Sequence, residues 1–157
     1  MRGRLVFGVG TLAVVLAVGS CKDEVGLTSI PPAPERFVAF LNGANEPTPT
    51  TTAAQGFATI TVNGNVLSYR VELSNIDSAF LAHIHHNVAG VNGPVRVNLY
   101  VQPRVSTDSN FSGLLIEDTT TVADSILTFI RGGAAYVNVH TKLNTGGEIR
   151  GQLFRFQ

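Results

Sequence analysis

The chain has 157 residues, 44% of them hydrophobic, with eleven basic and eleven acidic side chains, four histidines and a single cysteine. That length and apolar content suit one domain with a core and exclude both a disordered chain and a two-domain one. One cysteine excludes an internal disulfide, and balanced charge with no basic stripe excludes a nucleic-acid-binding surface.

Arg2 and Arg4 precede an apolar run over residues 5–18, which ends in Gly19-Ser20-Cys21. A basic start, a hydrophobic middle and small residues before a cleavage point form the layout of an export signal, here residues 1–20. Part of the mean hydropathy of +0.21 therefore belongs to a segment that is removed. Val18-Gly19-Ser20-Cys21 resembles the bacterial lipobox, which implies that Cys21 is lipidated and becomes the new N-terminus. Two acyl chains suffice for stable membrane attachment. The expected protein is thus exported and tethered in the cell envelope through its lipid. Residues 21–35 hold the modified cysteine and a spacer in which Pro31, Pro32 and Pro34 favour extended backbone. Without Arg2 and Arg4, nine basic side chains face eleven acidic ones.

Residues 36–157 read as one all-β domain. The first strand is expected over 37–42. In the run 56–62, Ala58, Ile60 and Val62 share a face. In 66–74, Leu67, Tyr69, Val71 and Leu73 lie on one face and Ser68, Arg70, Glu72 and Ser74 on the other, the period of two of a half-buried strand. Asn63-Gly64 between these runs predicts a tight antiparallel hairpin. Further strands are expected over 79–86, 94–102, 111–117, 134–141 and 148–156. In 94–102 the inward set is Val95, Val97, Leu99 and Val101, against Arg96, Asn98 and Tyr100; in 148–156 it is Ile149, Gly151 and Leu153. One short helix is expected before Gly132-Gly133, capped by Thr121 or Asp124, with Ile126, Leu127 and Ile130 as its apolar stripe. Seven or eight short strands separated by Gly, Pro and Asn turns predict an immunoglobulin-like or Greek-key antiparallel β-sandwich.

Three of the four histidines fall in "AHIHH". Phe80, Ala82 and Ile84 make the core face of that strand, so His83 and His85 point the other way, at i and i+2, close enough for two imidazoles to share one ion. His86 belongs to the core side. In "AYVNVHT", Val137 and Val139 point inward and His140 outward, so His140 joins the pair if the two strands are neighbours. Three imidazoles suit copper or zinc. The alternative is an outward-facing polar sheet surface with no ion. Glu148 and Arg150, also at i and i+2, engage a ligand on that same face or form an exposed ion pair worth about 0–1 kcal/mol. No G-x-S-x-G elbow and no phosphate-cradling glycine loop is present.

"HIH" followed by "NGPV", and "YVNVHT" followed by "GGEIRGQL", resemble the CHRD domain, a module named from chordin and found in bacterial exported proteins. The resemblance spans about 37–156 and implies an immunoglobulin-like β-sandwich without a defined activity. A second similarity is to the ligand order of Cu,Zn superoxide dismutase. It implies copper on His83, His85 and His140, with Arg150 drawing in a small anion. The chain departs from that pattern: no histidine lies between His86 and His140, no zinc subsite is recognisable and no cysteine pair pins the loops. Two functions follow. One is a lipid-anchored, non-catalytic binding or structural module with an envelope protein or other ligand as partner. The other is a copper or zinc protein, in its furthest form a dismutase-like metalloenzyme.

Overall fold

The computed structural model describes residues 32–156 apart from 104 and 106; the expected export signal, Cys21 and the expected spacer as far as residue 31 lie outside them. The strands are β1 (Glu35–Asn42), β2 (Gln55–Asn63), β3 (Val66–Ile76), β4 (Ala79–His86), β5 (Val95–Val101), β6 (Phe111–Thr121), β7 (Ala135–Thr141), β8 (Ile149–Gln152) and β9 (Phe154–Phe156), with one α-helix, α1 (Asp124–Arg131), and a short 3-10 helix at Gly43–Asn45. They pair in the order β5-β4-β7-β8-β1-β2-β3-β6, and every pairing is antiparallel. Neighbours in space that are distant in sequence, such as β3 with β6 and β4 with β7, make this an antiparallel β-sandwich of Greek-key type, as the alternation predicted. Beyond a single β8–β1 rung, Asn42 opposite Arg150, the halves β5-β4-β7-β8 and β1-β2-β3-β6 are joined through the core. On the far side the Tyr69 hydroxyl donates to the Leu99 carbonyl across the same gap.

Most of the core is the set of residues that alternation assigned to it; Phe80 is an exception, only partly buried where a register shift between Ala79 and Leu81 brings Ala79 into the core instead. Leu67, Tyr69, Val71 and Leu73 from β3 meet Phe37, Ala39 and Leu41 from β1, Ala82 and Ile84 from β4, and Val137 and Val139 from β7. Each fully buried Leu, Ile or Val contributes roughly 1.5–3 kcal/mol relative to exposure, so this two-sided set drives the collapse. Leu127 and Ile130 bring α1 against it. Residues 32–157 form a compact unit by themselves, and every core residue among the described residues lies within it, so this part is the domain.

The structure moves several details. The hairpin turn is Gly64-Asn65, one residue later than expected: Asn63 pairs with Val66, and Gly64 takes the positive φ of 58°. Helix α1 starts after Ala123, which makes no side-chain cap, while Asp124 accepts from the Asn65 amide. The expected strand over 148–156 is broken at Leu153, β8 pairing with β7 and β9 with β1. In β5, Val95 and Val101 are exposed and Tyr100 is buried, against the simple alternation. Two register shifts between β4 and β5 and the bond from the Tyr100 hydroxyl to the Val105 carbonyl account for it. Gly151 faces the core as expected; a Cβ there would lie 2.5 Å from the Phe40 carbonyl oxygen, so only glycine lets β8 approach β1 this closely.

Candidate metal centre

β4 and β7 are antiparallel neighbours, with Leu81 opposite His140 and His83 opposite Asn138. Ala82 and Ile84 enter the core, so His83 and His85 take the other face, as the alternation predicted, and His140 joins them there. The expectation of an exposed surface is corrected: His83, His85 and His140 are only 7–8% exposed. Three loops roof this outer face. Residues 43–54 reach it through Asn45, Thr50 and Thr52, which bond to Arg150 and Glu148, residues 87–94 meet His85 at the Gly93 carbonyl, and residues 142–148 meet His140 at the Thr145 carbonyl.

One ligand atom from each of the three histidines lies within 4.8 Å of the other two. Backbone carbonyls fix the rings. His85 Nδ1 donates to the Gly93 carbonyl at 2.9 Å, which leaves its Nε2 with the lone pair, buried and without a partner. His140 Nδ1 donates to the Thr145 carbonyl at 3.0 Å, so its Nε2 is also an acceptor. His83 must then be the donor in the 3.1 Å bond between its Nδ1 and His140 Nε2. Holding the second ring nitrogen on a backbone carbonyl sets the tautomer and aims the free nitrogen, the usual outer support of a metal-ligating imidazole.

Electrostatics keep the rings neutral, the form that binds metal. Burial, together with the mutual repulsion of the three rings, pushes His83 down to about 4. His85 and His140 are lowered mainly by burial, partly offset by their carbonyl hydrogen bonds; Arg150 adds to the effect at His85. His86, on the core side, stacks on Phe129 of α1 at 3.6 Å and takes no part.

Glu148 and Arg150 share this polar side of the domain, but the exposed ion pair is not what forms. Both are buried, at 7% and 1% exposure, and they do not pair with each other. The Glu148 carboxylate accepts from Thr52 Oγ1 at 2.7 Å, Thr141 Oγ1 at 2.5 Å and Asn144 Nδ2 at 3.1 Å, which ties two of the roofing loops together. Arg150 Nη2 donates to the carbonyls of Val88 and Val91 and so holds the third. Its Cζ lies 3.3 Å from the centre of the Tyr136 ring, and Tyr136 stacks on His85 at 4.9 Å and 9°. Because β4 and β8 flank β7, His85 and Arg150 take opposite faces of that ring.

Sequence reasoning missed the residues that line the site without ligating. Tyr136 accepts from the Gly93 amide with its hydroxyl and orients the loop that holds His85. Gly93 has no alternative, since a Cβ there would sit 1.8 Å from the His86 carbonyl oxygen. Glu46 is 7% exposed, with burial raising its pKa and Arg150 opposing the rise. A signal for the roof was present in β7: "AYVNVHT" contains no Lys, Arg, Asp or Glu, so neither face of it is a solvated one, and all seven residues are buried.

Glu46 Oε1, His85 Nε2, Asn138 Oδ1, Arg150 Nη1 and Gln152 Oε1 are buried without a hydrogen-bond partner. All five belong to this face or its covering loop. Buried polar atoms are nearly always satisfied, and unpaired ones concentrate where a ligand or ion is received. No curated protein and no solved structure matches the chain. The model of the CHRD domain matches residues 37–153, and the chain belongs to the CHRD domain family.

Proposed function

We propose that this CHRD domain is a metal-binding module of the bacterial cell envelope, held to a membrane through lipidated Cys21 and binding one copper or zinc ion on His83, His85 and His140. The observation that carries this reading is the convergence of three imidazole nitrogens within 4.8 Å, two of the rings pinned by backbone carbonyls. Three nitrogen donors at such spacing match the ligand number and type of open zinc and copper sites. The lipid anchor is supported by the lipobox-like residues 18–21 and the proline-containing spacer that follows them.

The test is elemental analysis of residues 32–157, purified without a histidine tag and dialysed against trace copper or zinc. About one ion per chain is expected, with a melting temperature that rises as metal is added, because an ion that binds the native state stabilises it. A metal-free domain with an unmoved melting curve would overturn the reading. Anchoring is tested separately, by mass spectrometry of the full chain for a diacylglycerol adduct on Cys21 and its loss in Cys21→Ala.

A further inference from the structure

The donor set is uncharged. Among the described residues no carboxylate or thiolate joins the three imidazoles, so a bound ion keeps its full charge in a site shielded from solvent. The charge stacked against a ligand ring is a cation. Arg150 lies 1% exposed directly behind the ring on which His85 stacks, and one arm of its guanidinium has no hydrogen-bond partner. Glu46 is the carboxylate that faces it, but the two form no ion pair; burial raises the Glu46 pKa, and Arg150 and Asn138 oppose the rise. The Glu148 carboxylate on the same face is taken up by Thr52, Thr141 and Asn144 and is not among the metal donors, so the charge that backs a ligand ring is positive.

We propose that the site is tuned for monovalent copper, with Arg150, stacked behind Tyr136, as the positioning residue whose charge raises the Cu(II)/Cu(I) potential. This rests on the metal-binding reading above and narrows it. Across about 10 Å at an effective dielectric near 20, one unit charge changes the stability of an added charge by roughly tenfold. Copper competes well for imidazole nitrogen in either oxidation state, so the fixed cation acts on which oxidation state is held. It penalises Cu(II) over Cu(I) by that factor, about 60 mV for one electron.

The experiment has two parts, both on residues 32–157. Competition against a colorimetric Cu(I) chelator under ascorbate, and against a zinc chelator, gives both affinities; Cu(I) is expected to bind the more tightly. Redox titration of the copper-loaded domain then compares wild type with Arg150→Gln and Arg150→Lys. Arg150→Gln should lower the potential by about 60 mV, while Arg150→Lys, which keeps the charge, retains most of it. Tighter binding of Zn(II) than of Cu(I) would overturn the proposal while leaving a metal site in place. Equal shifts in the Gln and Lys variants would also overturn it, since the effect would then be one of packing. If neither ion binds, the metal-binding reading fails and this one with it. Should the Arg150 variants not fold, the wild-type affinity ratio decides.

Discussion

His140→Gln is expected to weaken copper or zinc binding by about a hundredfold, because structural zinc sites gain roughly 10–16 kcal/mol from about four ligands, a share of about 3 kcal/mol each, and every 1.4 kcal/mol is a factor of about ten. The geometry explains why no neighbour can substitute. Asn138, the next polar residue on the same face of β7, sits opposite His83 in the ladder, and its Oδ1 is an amide oxygen rather than an imidazole nitrogen. His86→Gln provides the control. It removes a histidine one residue from the site, yet its ring stacks on Phe129 at 3.6 Å on the core side, so metal affinity should stay within a few-fold of wild type. Equilibrium dialysis of the two variants in parallel checks both statements. Equal losses would mean that the ion is not held at the three-histidine cluster.

The second large effect is on stability against pH in the metal-free domain. His83 titrates near 4 in the folded protein, against 6.5 for the free side chain. Between those values the unfolded chain binds the extra proton and the folded chain does not, so stability rises with pH. It is fully present above about 6.5 and is lost as pH falls towards 4. The depressed value corresponds to about 3 kcal/mol from His83 alone, and His85 and His140, lowered by the same burial, act in the same direction. Urea unfolding at a series of pH values should show this slope in wild type and a shallower one in His83→Asn, which cannot titrate. Parallel curves would rule out His83 as the source.

The sheet was legible because a half-buried strand writes its two faces into the sequence. Strand β3 shows this most plainly, with Leu67, Tyr69, Val71 and Leu73 all buried as their spacing requires. The same logic placed His83, His85 and His140 on one side of neighbouring strands. What alternation cannot say is whether the non-core side meets water. Here it is roofed by loops whose anchors are far apart in the chain: Thr50 donates to the Glu148 carbonyl 98 residues away, and Arg150 reaches Val88 across 62. Contacts of that separation leave no periodicity, which is why Glu148 and Arg150 looked like surface charges. Tyr100 escaped for a related reason, since two register shifts between β4 and β5 interrupt the period of two.

The hydrogen bond between His83 and His140 has a consequence for the heat of binding. All three rings are neutral above about pH 6.5, and the single proton between His83 Nδ1 and His140 Nε2 already belongs to a neutral imidazole. An ion that takes both nitrogens moves this proton to the other nitrogen of His83 and releases none to solvent. Titration calorimetry at pH 7.5 should therefore give the same enthalpy, after correction for metal–buffer complexes, in buffers of very different ionisation heat. An ion bound there would bring its full charge into the chain without a proton given in exchange.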